Sequence, residues 1–214
     1  MAEPSDNSTG VNSLDSLTPT GDGVVIDIGT GDGLFVYQAA RLNPRKFYIG
    51  VDANPRPLEK VSEKIHRRPL KGGLPNALFV QAAVESLPEE LNGVADEVHV
   101  HFPWGTLLRG VATGDREVLG NLRRICSAGA LLEVVVGLHP HRDRLEMQRL
   151  DLQPLSIEYI DLALTPRYRD AGFEITERGV LSPPQWATLK TSWAKRLNSS
   201  AGRMVSYAIA RATA

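Results

Sequence analysis

The 214 residues contain a single cysteine. Cys126 cannot form an internal disulfide or a cysteine-built zinc site, and this scarcity agrees with a reducing compartment. Its ordinary role is that of a small buried apolar side chain. No uncharged apolar run reaches the roughly 18 to 20 residues that a membrane span needs, and the N-terminus lacks the basic start and apolar stretch of a signal peptide. Both absences point to a soluble, cytosolic protein with no membrane partner. Net charge is also nearly absent. The 24 Lys plus Arg stand against 25 Asp plus Glu, for a total of -1, and a balance of that kind argues against a nucleic-acid partner.

The balance does not hold segment by segment. Between Arg56 and Lys71, six cations (Arg56, Lys60, Lys64, Arg67, Arg68 and Lys71) face only Glu59 and Glu63, giving +4. From Arg178 to Ala214 there are six more and no acid, giving +6, so the rest of the chain carries -11. Clustered cations create a local field, screened over roughly 10 Å, that attracts a polyanion whatever the total charge. Solvated helix faces produce the same pattern. Charge alone leaves RNA or DNA open beside that plainer reading.

Residues 1–22 are rich in Ser, Thr, Asn, Asp, Pro and Gly, carry four acids and no base, and read as a mostly disordered tail. The remainder, 23–214, has the size of one domain, and 42% hydrophobic residues over the chain can supply its core. Short β-branched runs predict strands at Val24 to Ile28, Phe47 to Asp52, Ala77 to Ala82, Glu97 to Phe102, Leu131 to Gly137, Phe173 to Glu177 and Met204 to Ala210. Helices are expected at Leu34 to Leu42, Pro57 to His66, Asp115 to Ile125 and Glu158 to Ala171. Such alternation implies parallel strands joined by crossover helices, a doubly wound α/β sheet.

The stretch Val24 to Gly33 reads VVIDIGTGDG, an apolar strand running into glycines 29, 31 and 33 ahead of a helix-like segment. A turn free of Cβ atoms lets backbone approach a ligand, and the helix N-terminus offers N–H groups to an anionic part of it. A dinucleotide fingerprint would place its third glycine where Leu34 stands, so the spacing argues against nicotinamide or flavin dinucleotides. Nineteen residues beyond Gly33, the strand FYIGVD ends on Asp52, suited to accept hydrogen bonds from a ribose. A tight structural turn and a helix N-cap are the plainer readings of the glycines and of Asp52. Asp27 either orients the turn or is a buried acid capping loop N–H groups.

The order DxGxGxG, then an acid ending the second strand, then AAVESLP after the third, resembles the class I S-adenosylmethionine-dependent methyltransferases. That resemblance implies a mostly parallel seven-stranded sheet with an antiparallel last strand. It sets Gly29, Gly31 and Asp32 beside the methionine moiety, Asp52 at the ribose, and Ala83 and Glu85 at the adenine. After the fourth strand comes HFPWGTLLRG, a slot that meets substrate in sheets of this kind. Proline stiffens the backbone and Trp104 offers a broad π-face for a planar base, although a tryptophan there could equally close the core over the cofactor. Trp186, Leu189, Trp193 and Leu197 recur at helical spacing, which on periodicity makes Trp193 a core residue.

VIDIGTGDG, FYIGVDANP, KGGLPN, AAVESLP, FPWGTLLRG and TSWAKRL together resemble the aminoglycoside-resistance 16S rRNA methyltransferases that modify N1 of adenine 1408. The similarity runs from about Val24 to Arg203, and it overrides the core reading of Trp193. It implies that the flipped adenine stacks between Trp104 and Trp193, with Pro103, Thr106 and Thr191 lining the cofactor and base pocket. Lys64, Arg67, Arg68, Lys71, Lys195, Arg196 and Arg203 would form the surface docking on the decoding-site helix of the 30S subunit. It further implies a cytoplasmic monomer. Family members begin with a docking β-hairpin, whereas residues 1–22 show no paired strands, and 197–203 are poor in cations. A methyltransferase of tRNA or a small molecule, or a catalytically silent RNA-binding domain, would share the cofactor half.

No Ser/His/Asp arrangement or cysteine nucleophile is evident. His99 with His101, and His139 with His141, form two HxH pairs. No nearby cysteine or carboxylate cluster completes a site, and alternate residues on a strand share a face anyway, so no metal is expected.

Overall fold

The structure, a computed structural model, describes residues 21–139, 141–182, 185 and 204–214. Its strands are β1 (Val24–Ile28), β2 (Phe47–Asp52), β3 (Ala77–Gln81), β4 (Ala95–His101), β5 (Cys126–Leu138), β6 (Phe173–Leu181) and β7 (Met204–Ala212). They form one sheet in the order β3-β2-β1-β4-β5-β7-β6. The pairs β1–β2, β1–β4, β2–β3 and β4–β5 are parallel, and β7 runs antiparallel to both neighbours. This is the expected doubly wound class I architecture. Strand order reverses beside β1, and the loops leaving β1 and β4 therefore open a crevice at the carboxyl edge of the sheet.

Helix α1 (Leu34–Leu42) and helix α2 (Glu59–Ile65) cover one face. Val36, Tyr37, Ala40, Val61 and Ile65 pack there on Val25 and Tyr48. On the other face lie α3 (Gly105–Thr113) and α4 (Arg116–Ile125), with Leu108, Leu119, Leu122 and Ile125 shut away from solvent against Ile26, Val98 and Leu132. Asp115 caps α4, accepting from the N–H groups of Glu117 and Val118. Alternation of the two faces along β1 explains why all five of its residues are buried.

Several elements depart from expectation. β5 starts at Cys126, five residues before Leu131, because Ala95 pairs with Cys126 ahead of a register shift. α3 and α5 (Arg144–Arg149) appear where no helix was expected. The helix expected over Glu158 to Ala171 is divided into α6 (Ile157–Tyr159), a π turn (Ile160–Leu164) and α7 (Thr165–Asp170). Pro166 has no N–H and would collide with the carbonyl four residues back, so the chain widens there. The hydroxyl of Thr165 donates to the Ile160 carbonyl at 3.0 Å. Residues 1–20 and the tryptophan stripe from Trp186 to Leu197 lie outside the described residues.

Candidate active site

The three glycines of the β1–α1 turn all have left-handed backbone, with φ of 75°, 60° and 67° at Gly29, Gly31 and Gly33. Their surroundings differ. A Cβ at Gly33 would lie 2.5 Å from the Phe79 ring, and one at Gly29 2.8 Å from Leu107, whereas Gly31 faces open space. Gly33 thus lets α1 sit close on β3, while Gly31 presents bare backbone to the crevice. Asp52 accepts from Gly31 N–H at 2.7 Å and from Asn54 N–H at 2.9 Å. Its carboxylate therefore braces the glycine turn against the end of β2; it is not a helix N-cap. Asp32 is exposed and accepts from Leu34 N–H at 3.2 Å, so it occupies one N–H that the helix start was expected to offer.

The crevice is an open cleft of about 260 Å³. Gly29, Gly31, Asp52, Ala83, Glu85, Pro103, Trp104 and Thr106 line it together, joined by Ile28, Ala53, Phe102 and Leu107, which sequence reasoning did not single out. Asp32 is not among the lining residues. Thr191, Trp193, Lys195, Arg196 and Arg203 lie outside the described residues.

Trp104 is 49% exposed at the cleft and precedes α3 in extended conformation, so it does not close the core. The turn that presents it is strained. Phe102 has φ of 50°, although it is neither glycine nor free of a following proline. Such a backbone costs about 1–3 kcal/mol, and the residue before proline is steered toward extended conformations. Burial against Val135 and Val205, and a 2.7 Å bond from Phe102 N–H to the Val135 carbonyl, hold it in place.

The basic loop after α2 is tightly built. Leu74 N–H bonds back to Ile65 O at 2.9 Å, and a Cβ at Gly73 would meet the Arg67 carbonyl at 1.7 Å, so only glycine fits. Arg67, Arg68 and Lys71 are exposed on it, together with Leu70. Lys64 behaves differently: its ammonium lies 3.9 Å from the centre of the Tyr37 ring, a cation–π contact. The Tyr37 hydroxyl donates to Gly72 O at 3.1 Å. Tyr37 thus ties the loop to α1, a link invisible in sequence because the partners are 35 residues apart.

The HxH pair on β4 needs correction. His99 stands opposite Glu133 of β5 and opposite Asp27 of β1. Glu133 Oε1 lies 2.5 Å from His101 Nε2 and 3.3 Å from His99 Nδ1, so a carboxylate does join this pair, through strand register. Burial opposes charge on His99, but Glu133 and Glu97 outweigh it and raise the imidazole to about 9. The bond with His99, helped by Lys46 and opposed by burial, lowers Glu97 to about 2. Burial pushes the Asp27 carboxyl up, with opposition from His101. Asp27 is therefore a buried acid beneath the turn. His139 differs again: its Nδ1 accepts from the N–H groups of His141 and Arg142 at 3.2 Å, a local turn.

A family model described as NpmA, 16S rRNA (adenine(1408)-N(1))-methyltransferase, matches residues 8–212. The 16S rRNA (adenine(1408)-N(1))-methyltransferase of Streptoalloteichus tenebrarius is 41% identical over 182 residues, covering 85% of this chain and 83% of that protein. Among solved structures, the aminoglycoside resistance methyltransferase NpmB1 superposes with a TM-score of 0.82 at 48% identity, over 94% of this chain and 92% of that one. A 16S rRNA (adenine(1408)-N(1))-methyltransferase from Catenulisporales acidiphilia, solved with the cosubstrate S-adenosylmethionine, superposes with a TM-score of 0.82 at 35% identity, over 91% and 87% of the two chains. Half of the cleft built from β1, β2 and β3 is common to class I enzymes, but these matches extend through the Pro-Trp turn and nearly the whole sheet, and on them the chain belongs to the 16S rRNA (adenine(1408)-N(1))-methyltransferase family.

Proposed function

We propose that this protein transfers a methyl group from S-adenosylmethionine to N1 of adenine 1408 in the 16S rRNA of the assembled 30S subunit, giving resistance to aminoglycosides of the kanamycin and apramycin type. The observation that carries the reading is the half-exposed Trp104 at the same cleft as Gly31 and Asp52. It acts as a cytoplasmic monomer, with residues 23–214 as the methyltransferase domain. No helix among the described residues is long and apolar enough to cross a membrane.

When bound, S-adenosylmethionine supplies an electrophilic methyl carbon. The backbone of Gly29 and Gly31 holds the methionine end, with the exposed Asp32 flanking it, Asp52 the ribose, and Ala83 and Glu85 the adenine. Pro103, Thr106 and Thr191 shape the join between cofactor and base. Adenine N1 carries an in-plane lone pair at neutral pH, so it attacks the methyl carbon as the carbon–sulfur bond breaks, and no general base is required. Guanine N1 would first have to lose a proton. N1 lies on the pairing edge, so the base must leave its helix at a cost of a few kcal/mol. Stacking between Trp104 and Trp193 offsets that cost. Acceleration then comes from proximity and in-line alignment.

N1 methylation blocks base pairing. Primer extension on 16S rRNA from 30S subunits treated with protein and S-adenosylmethionine is therefore expected to stop beside position 1408; read-through at that position rejects the assignment. Asp52→Ala is expected to weaken S-adenosylmethionine binding about 10- to 100-fold by calorimetry, since hydrogen bonds to a charged group contribute about 1.5–3 kcal/mol. The same change releases Gly31 N–H from its brace. Unchanged affinity would remove Asp52 from the cofactor site.

A further inference from the structure

Beneath the cleft, three side chains from adjacent strands aim donor atoms at one point. Glu133 Oε1 faces His99 Nδ1 at 3.3 Å and His101 Nε2 at 2.5 Å, and the three donors lie within 4.8 Å of one another. Zinc ligands at about 2.0–2.2 Å in tetrahedral geometry stand about 3.3 Å apart. The His99–Glu133 pair already has that spacing, and a small rotation of the Glu133 carboxylate opens the other.

The far side of His99 is arranged in the manner of a metal ligand. Its Nε2 lies 3.3 Å from Glu97 Oε2, and Glu97 is gripped by Lys46 Nζ at 2.5 Å. A carboxylate on the outer nitrogen is the partner that a ligating histidine commonly has, and it leaves Nδ1 facing the Glu133 oxygen. A metal ion bound there displaces the proton that Nδ1 shares with the Glu133 carboxylate. The Phe35 ring packs on both imidazoles, at 5.3 Å and 4.9 Å between ring centres, and holds their planes. Asp27 faces His99 from β1. The His99 and Glu133 side chains retain 12% and 25% exposure, so an ion can reach the donors, while His101 is almost fully buried. None of the three lines the methyl-transfer cleft.

We propose that His99, His101 and Glu133 bind one divalent transition-metal ion of the zinc class. Two imidazoles and one carboxylate favour zinc and its neighbours over magnesium or calcium, which prefer oxygen ligands. The ion joins β4 to β5 one residue before the strained Phe102 and two before Pro103.

The test uses the full chain, dialysed against a chelator and titrated calorimetrically with Zn²⁺ alone. One equivalent is expected to bind. Glu97→Gln should weaken it about 10- to 100-fold, the range for outer partners of a ligating histidine. Glu133→Gln should weaken it further, with S-adenosylmethionine affinity and circular dichroism unchanged. Should Glu133→Gln fail to fold, Co²⁺ added to the wild-type chain provides the second readout, with visible ligand-field bands of a nitrogen and oxygen site expected. Absence of zinc binding or of those bands overturns the proposal and leaves protons as the bridging cations. So does an equivalent held with unchanged affinity in both Glu133→Gln and His99→Ala.

Discussion

Trp104→Ala is expected to lower the rate of methyl transfer to 30S subunits by about two orders of magnitude or more while S-adenosylmethionine affinity stays within a few-fold of wild type. Aromatic stacking on a base contributes about 1–3 kcal/mol by alanine substitution, or about 5- to 150-fold. A base that is flipped but poorly held also loses alignment, and a misplacement of about 1 Å can cost 10²-fold. The side chain is 49% exposed and lines the cleft, so its removal leaves no core cavity, and a folded mutant is expected. Trp104→Phe keeps a π-face and should recover part of the rate. Trp193→Ala is expected to behave in the same way as Trp104→Ala. The discriminating measurement is single-turnover methylation of 30S subunits beside calorimetric titration of the cofactor; full activity in either alanine mutant would sink the stacking role.

Replacing Arg67, Arg68 and Lys71 together with alanine should weaken binding to 30S subunits by about 10²- to 10³-fold near physiological salt, with methyl-donor affinity intact. Each lost phosphate contact lowers the slope of log affinity against log salt by about one. The triple mutant should therefore show a slope shallower by about three. All three side chains are exposed on a loop fixed by Gly73 and by the Tyr37 hydroxyl, so the presenting backbone should survive. Lys64 is left out of the set because its ammonium sits on the Tyr37 ring. An unchanged salt slope would show that this loop does not meet RNA phosphates.

The glycine turn, Asp52, Leu34–Leu42 and the strands flanking them were legible because each rests on local rules: a β-branched run, a turn needing positive φ, a helix period. α3 was missed since Gly105 and Gly110 make it look like a loop. Gly110 is required there because Val118 of α4 packs where its side chain would be, 2.6 Å from a Cβ. α5, with six residues, is too short to display a period. The early start of β5 was hidden by Ser127, Ala128 and Gly129, poor strand formers that fall in the register shift between the Cys126 and Leu131 pairings with β4. In the site, the Pro-Trp turn was readable as a motif, but its exposure and the strain at Phe102 were not. Glu133 could not be assigned to His99 from sequence, because 34 residues and a strand register separate them.

The strand order has a consequence for how the protein is made. β7 fills the place between β5 and β6, although both are synthesised before it. Until it emerges from the ribosome, the nascent chain carries two unpaired edges facing a gap, the kind of surface on which other chains add strands. Closure of the sheet is therefore a late event with high contact order, and a message cut short before Met204 would yield a product holding every residue that lines the cleft but an open sheet.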